Sequence, residues 1–162
     1  MRPTRKPALK GRVNELEIRP ATHQEIPVIY GMLRASAVEQ GGLASFCATK
    51  QNLAEDGFGP GPRFHVLLAS AGGKPAGLAL YFYIYSTWTS RNGLYLEDLY
   101  IKPRYRKQGL ARALMERLQA IAVENGCGRM MWLVLRDNPA VGFYRSIGAA
   151  ALKDWMPMQM KI

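Results

Sequence analysis

The sequence predicts an α/β (α+β) fold in which a mixed, mostly antiparallel central sheet is flanked by helices. RFHVLLAS and PAGLALYFYIY, rich in apolar, branched and aromatic residues, flank the turn AGGKP and read as a hairpin. LYLEDLYIKP is a further strand, ended by Pro103. From Gly109 to about Asn125 the apolar residues Leu110, Ala113, Leu114, Leu118, Ile121 and Ala122 recur at helical spacing, and Gly126 and Gly128 stop the run.

In chain order, LEIRP (16–20) is a short strand. Thr22 and Glu25 have the spacing of a capping box and predict a helix to about Glu39, with Pro27 near its start. Thr49 is the expected cap of a short second helix, closed by the loop GFGPGP. The hairpin follows, then the separating loop STWTSRNG, the strand around LYLEDLYI and the helix after Gly109. MMWLVL predicts a buried strand. Asn138 and Pro139 start a shorter helix through Tyr144 that ends near Gly148, and WMPMQMKI supplies a last short strand. The order is strand, helix, helix, three strands, helix, strand, helix, strand, with no internal repeat.

A chain of 162 residues with 48% apolar content builds one domain around one core. No apolar run approaches the roughly 20 residues of a membrane span. MRPTRKPALKGR lacks the apolar segment of a signal peptide, so a soluble cytoplasmic protein with no membrane partner is expected. Cys47 and Cys127 have neither close spacing nor a nearby His pair, and no disulfide framework or metal site is indicated. The net charge is +10. Arg2, Arg5, Lys6, Lys10 and Arg12 supply about half of that excess from a basic, flexible arm over 1–14, ahead of a domain at 15–162. Lys102, Arg104, Arg106, Lys107 and Arg112 form a second cluster, within expected structure.

Basic side chains at a helix start lie at the wrong end of the macrodipole, so RYRKQGLARAL is unfavourable unless an anion compensates. A strand, a turn and a glycine-containing helix start offer such an anion free backbone N–H groups. Gly109 and the small Ala111 let a phosphate approach the backbone. No Gly-Lys-Ser/Thr follows, and the second and third glycines of a dinucleotide fingerprint are missing.

Arg106-Lys107-Gln108-Gly109-Leu110-Ala111 resembles the Arg/Gln-x-x-Gly-x-Gly/Ala motif of the GCN5-related N-acetyltransferases, the GNAT family. The similarity extends through LYLEDLYIKPRYR and NPAVGFYRSIGA, covering about residues 16–160. DGFG, YIYSTW and LYLED resemble its spermidine/spermine (diamine) and thialysine N-acetyltransferase branch. The resemblance implies the GNAT fold, with LYLEDLYI and MMWLVL as splayed fourth and fifth strands. It implies acetyl-CoA as co-substrate and no metal. Arg106, Lys107, Gln108, Gly109, Leu110, Ala111 and Arg112 would bind the pyrophosphate, and the backbone of Leu99, Tyr100 and Ile101 the pantetheine arm.

Direct acetyl transfer to a primary amine needs a base for the amine and an acid for the departing thiolate. The resemblance makes Glu97 the base, acting directly or through water, and its apolar strand neighbours are expected to raise its pKa. Read from position alone, Glu97 is equally a strand-end carboxylate paired with an arginine. Asp98 points to the opposite face if the strand is regular, and orders the site. Tyr144 matches the family's acid and lies among its CoA contacts, although a tyrosine on an apolar helix face is otherwise a core residue. Asn138 and Ala140 match further CoA contacts. The family has two residues between this Asn and Ala where this chain has only Pro139; Ala140 and Tyr144 keep their separation.

Trp88 matches a branch position beside the acceptor, where an aromatic face attracts an alkylammonium; as a bare residue it is equally a packing tryptophan. Tyr85 and Glu39 are further acceptor candidates. The polyamine enzymes carry Asp where this chain has Ser86, and a net charge of +10 repels a polycation. A lysine-like or thialysine-like amino acid or a small diamine is therefore the expected acceptor. The branch is dimeric, with acceptor residues shared across the interface, and a homodimer is expected. The competing class is a nucleic-acid-binding module, suggested by the basic arm and YFYIY. Basic residues gathered at one turn argue against it, and no nucleic-acid partner is expected. A protein N-terminus or an aminoglycoside is the alternative acceptor within the enzyme class.

Overall fold

The computed structural model describes residues 15–161; the basic arm expected over 1–14 lies outside them. The elements are β1 (Leu16–Pro20), α1 (Ile26–Glu39), α2 (Lys50–Phe58), β2 (His65–Ala71), β3 (Lys74–Ser86), β4 (Arg91–Ile101), α3 (Leu110–Glu124), β5 (Arg129–Met131) and α4 (Ala140–Ser146). The chain divides into two units, one up to Trp132 and one from Leu133 on. No helix among the described residues is long and apolar enough to cross a membrane.

The first unit holds the sheet, in the order β1-β2-β3-β4-β5. Strands β1 to β4 are antiparallel neighbours, and β5 runs parallel to β4. Gly72 and Gly73, with φ of 57 and 74, close β2 on β3 in a two-residue turn whose twist matches that of the strands. Ser86 pairs with Arg91. The separating loop expected at STWTSRNG is therefore reduced to a hairpin tip at 87–90, and β3 and β4 form one long ribbon.

Helix α1 starts as the sequence predicts. The Thr22 backbone N–H donates to Glu25 Oε2 at 2.8 Å. Arg19 of β1 forks onto the same carboxylate at 2.7 and 2.9 Å, joining the helix start to the strand. A 3-10 turn, His23–Glu25, intervenes, and Pro27 falls in the first turn of α1, where a missing N–H breaks no helical bond. Thr49 caps α2 as expected, its hydroxyl accepting from the Asn52 N–H at 3.0 Å. Helices α1 and α2 bury Ile29, Met32, Leu33 and Leu53 against Val66, Leu68, Leu78, Leu80 and Tyr100. On the other side of the sheet, α3 contributes the fully buried Leu110, Leu114 and Leu118. At about 1.5–3 kcal/mol per buried large apolar side chain, these layers fix the strands that carry the site.

Two expected strands differ. MMWLVL enters the sheet only at Arg129–Met131, and Leu133 and Leu135 are exposed. The β4–β5 ladder ends at Tyr95↔Met131, two residues before an irregularity in β4 that bends the strand from its neighbour. WMPMQMKI forms no strand over 155–161. Pro157 has no N–H to give to a ladder. In the second unit α4 ends as expected at Gly148, where φ is 93 and the Ala149 N–H donates to the Tyr144 carbonyl at 3.0 Å.

Candidate active site

Strand β4 is irregular at its two acids. Asp98 pairs with Leu80 and Leu96 with Tyr81, so Glu97 has no partner on β3. The extra residue shifts the alternation of faces: Tyr95, Asp98 and Tyr100 lie opposite Phe82, Leu80 and Leu78, which share one face of β3. Placing Asp98 on the face opposite Glu97 required a regular strand, and the bulge removes that condition. Asp98 is partly buried on the face of Leu80 and Tyr100; Glu97, in the bulge, is exposed. Burial, and then the charge of Glu97, push the Asp98 carboxyl from its ordinary 3.8 up to about 6. The burial expected around Glu97 is found at its neighbour.

Beyond Tyr95 the outer edge of β4, with Leu99, Tyr100 and Ile101, has no strand partner among the described residues. Apart from the Ile101 carbonyl, which accepts from Arg106 Nε, the outward backbone groups of this edge are available to an extended ligand. The strand end is fixed from the β3 side: the Lys102 N–H donates to the Ala76 carbonyl at 2.9 Å, and Lys102 Nζ to the Pro75 carbonyl at 2.8 Å. The chain then enters a 3-10 turn, Pro103–Tyr105, and Gln108 Nε2 donates back to the Arg104 carbonyl at 3.0 Å. Lys107 at φ 60 and Gly109 at φ 86 adopt left-handed backbone, and no side chain caps α3. Such turns converge successive N–H groups into an anion-binding hollow. A Cβ on Gly109 would meet nothing within 4 Å, so the space there is open. Lys107, Gln108 and Arg112 are exposed and Ala111 is small, a set suited to a diphosphate, while Leu110 anchors the helix in the core.

Arg106 is engaged elsewhere. Its Nε donates to the Ile101 carbonyl at 2.8 Å, and its Nη2 pairs with Glu39 Oε2 at 2.5 Å. Tyr100 Oη donates to Glu39 Oε1 at 3.1 Å. The structure thus brings Glu39, Tyr100 and Arg106 together at the end of β4.

Trp88 and Tyr85 lie at the far end of the hairpin, 86% and 64% exposed. Tyr85 faces Asn92, five positions along β4 from Glu97, or roughly 17 Å of strand. A single chain does not bring them to the acids. In the second unit Asn138 Oδ1 accepts from the Ala140 N–H at 2.8 Å, so with the shortened spacing this side chain serves the start of α4. Tyr144 is partly buried beside Phe143, and burial pushes its hydroxyl pKa up, favouring the protonated form. Among the described residues no group of three or more His, Cys, Asp or Glu is placed to hold a metal.

The bulge has a sequence signal that the expectations above do not use. In LYLEDLYI the leucines at 94 and 96 are followed by Leu99 and Ile101, a change of phase across the two acids. The link of Glu39 to Arg106 has no such signal, because 67 residues separate the partners.

Known proteins resemble this chain in sequence and in fold. The acetyltransferase (GNAT) family profile matches residues 31–149. Thialysine N-epsilon-acetyltransferase of Mus musculus is 36% identical over 146 residues, 85% of either chain. The protein of that name from Sus scrofa is 41% identical over 115 residues, 65% of this chain and 67% of that one. Among solved structures, an aminoglycoside acetyltransferase from an uncultured soil metagenomic sample has a TM-score of 0.76 at 16% identity, over 91% of this chain and 96% of its own, a likeness of fold.

Proposed function

The chain belongs to the GNAT acetyltransferase family, and we propose that it acetylates a primary amine of a small molecule, a lysine-like or thialysine-like amino acid or a diamine, by direct transfer. The observation that carries this reading is the run along one strand from the bulged acids Glu97 and Asp98, past the unpaired edge at Leu99, Tyr100 and Ile101, to the uncapped start of α3. Acetyl-CoA, the family's co-substrate, supplies an activated acetyl group when bound. Leu99, Tyr100 and Ile101 would hold its pantetheine arm, and Lys107, Gly109, Leu110, Ala111 and Arg112 its pyrophosphate.

An alkylammonium must lose a proton before it attacks. Glu97, exposed in the bulge, takes that proton directly or through water. Asp98, charged above about pH 6, attracts the ammonium and holds it for deprotonation. Tyr144, favoured in its protonated form by burial, protonates the departing thiolate.

The names of the mouse and pig relatives and the loss of a carboxylate at Ser86 support a lysine-like acceptor over a polyamine. Trp88 and Tyr85, distant from the acids of their own chain, would serve a partner subunit's acceptor site in a cytoplasmic homodimer. A screen of thialysine, lysine, diamines, spermidine and peptides with acetyl-CoA, read by release of free CoA thiol, tests this. Activity on thialysine or lysine without activity on spermidine supports the reading. Preference for spermidine or a peptide overturns the acceptor class, and no release with any amine overturns the enzyme.

A further inference from the structure

Glu39 is the last residue of α1, and its carboxylate stands beside a turn suited to an anion. Coulomb repulsion alone makes this unfavourable. Three contacts account for the placement. Glu39 Oε2 holds Arg106 Nη2, Glu39 Oε1 accepts from Tyr100 Oη, and Arg106 Nε reaches the Ile101 carbonyl. The Arg106 guanidinium also lies 5.8 Å from the centre of the Tyr100 ring. Arg106 is thereby fixed on three sides at the join between β4 and the turn, and its charge is matched by Glu39. Lys107 and Arg112, in contrast, are exposed and have no ion-pair partner among the described residues.

We propose that Glu39 is a positioning residue for the co-substrate turn: with Arg106 as a strut to the Ile101 carbonyl and Tyr100 as a second hold, it sets the path of the chain from 101 to 109. The phosphates are then met by Lys107, Arg112 and the backbone N–H groups, and Arg106 supports the turn without contacting the anion. Because Glu39 ends α1 and the turn begins α3, the strut also ties two helices on opposite faces of the sheet. This rests on the reading of the turn as the acetyl-CoA site, and it replaces the expected roles of Arg106 as a phosphate ligand and of Glu39 as an acceptor contact.

The sign of one measurement separates the possibilities. Glu39→Gln keeps the side chain's size and removes its charge. If Glu39 only repels the anion, the variant binds CoA more tightly; if it positions the turn, the variant binds more weakly. The half-exposed pair is screened by solvent, so the expected loss is modest: about three- to tenfold in the calorimetric Kd for CoA and in KM for acetyl-CoA, with kcat within about twofold. Arg106→Gln gives a similar loss, and the double variant is no worse than the weaker-binding single, since both remove one strut. Circular dichroism confirms that each variant is folded, and Arg106→Lys, which keeps the pair but loses the Nε bond, gives an intermediate loss. An unchanged or tighter Kd in Glu39→Gln, a change in amine KM alone, or an Arg106→Gln loss more than about tenfold beyond that of Glu39→Gln each overturns the assignment. Absence of CoA binding by the unaltered protein overturns the functional reading as well.

Discussion

Asp98 stands opposite Leu80 in the β3–β4 ladder, and Glu97 beside it stands opposite nothing. One inserted residue gives adjacent carboxyls unequal surroundings, one exposed and one partly buried. Unequal surroundings are how two carboxyls come to hold different tasks. The bulge also lies where β5 leaves the sheet, so the same irregularity accompanies the open edge that follows.

The first consequence is kinetic. With Asp98 pushed to about 6, kcat/KM for the amine rises as pH climbs through that value, and Asp98→Asn loses this limb. Glu97→Gln lowers kcat by roughly 10²–10⁴-fold across the range. Rates measured from pH 5 to 9, about the span that brackets the transition, check both. An Asp98→Asn profile superimposable on that of the unaltered protein would remove Asp98 from the mechanism.

The same shift acts on stability, and a second acid acts with the opposite sign. Asp98 is raised in the fold, so its contribution is full below 3.8 and is lost as pH rises to about 6. Asp98→Asn should therefore have the higher Tm at neutral pH, the gain vanishing in acid. Glu25 is held down to about 2, chiefly by its hydrogen bonds with Arg19. Its contribution is present above 4.5 and is lost as pH falls through about 2. Glu25→Gln should cost about 1–2 kcal/mol at neutral pH, allowing for the partly exposed guanidinium, with the gap closing in acid. Thermal melts at several pH values show whether the two differences have opposite signs.

Tyr144→Phe keeps the ring and its contact with Phe143 and removes only the proton donor. Turnover should fall by roughly 10²–10⁴-fold while the Kd for CoA stays nearly constant. Single-turnover rates beside calorimetric affinities separate the two effects. An unaltered rate rejects the acid role.

Much of the fold is legible from local chemistry. The Thr22–Glu25 box, the Thr49 cap, the Gly72–Gly73 turn and the period of α3 are each written within a few residues, where capping and packing act on neighbours. The strands at MMWLVL and WMPMQMKI are not, because a strand exists only where another offers a ladder, and apolar composition does not reveal where pairing stops. The turn around Gly109 is readable as a motif, yet the partner of Arg106 is not. Glu39 comes from a helix 67 residues earlier and meets the turn only through tertiary packing. The acids at 97 and 98 fall between these cases: the phase change in LYLEDLYI marks a bulge, while which carboxyl is the more buried depends on the helices packed on that face.

The most direct test is the affinity of CoA for the unaltered protein and for Gly109→Glu, measured by calorimetry on samples shown to be folded. The substitution drives a side chain and a negative charge into the open space before α3, on backbone at φ 86. Saturable binding by the unaltered protein and no detectable binding by the variant is the expected result. Equal affinity in the two would contradict the placement of the co-substrate's pyrophosphate at this turn.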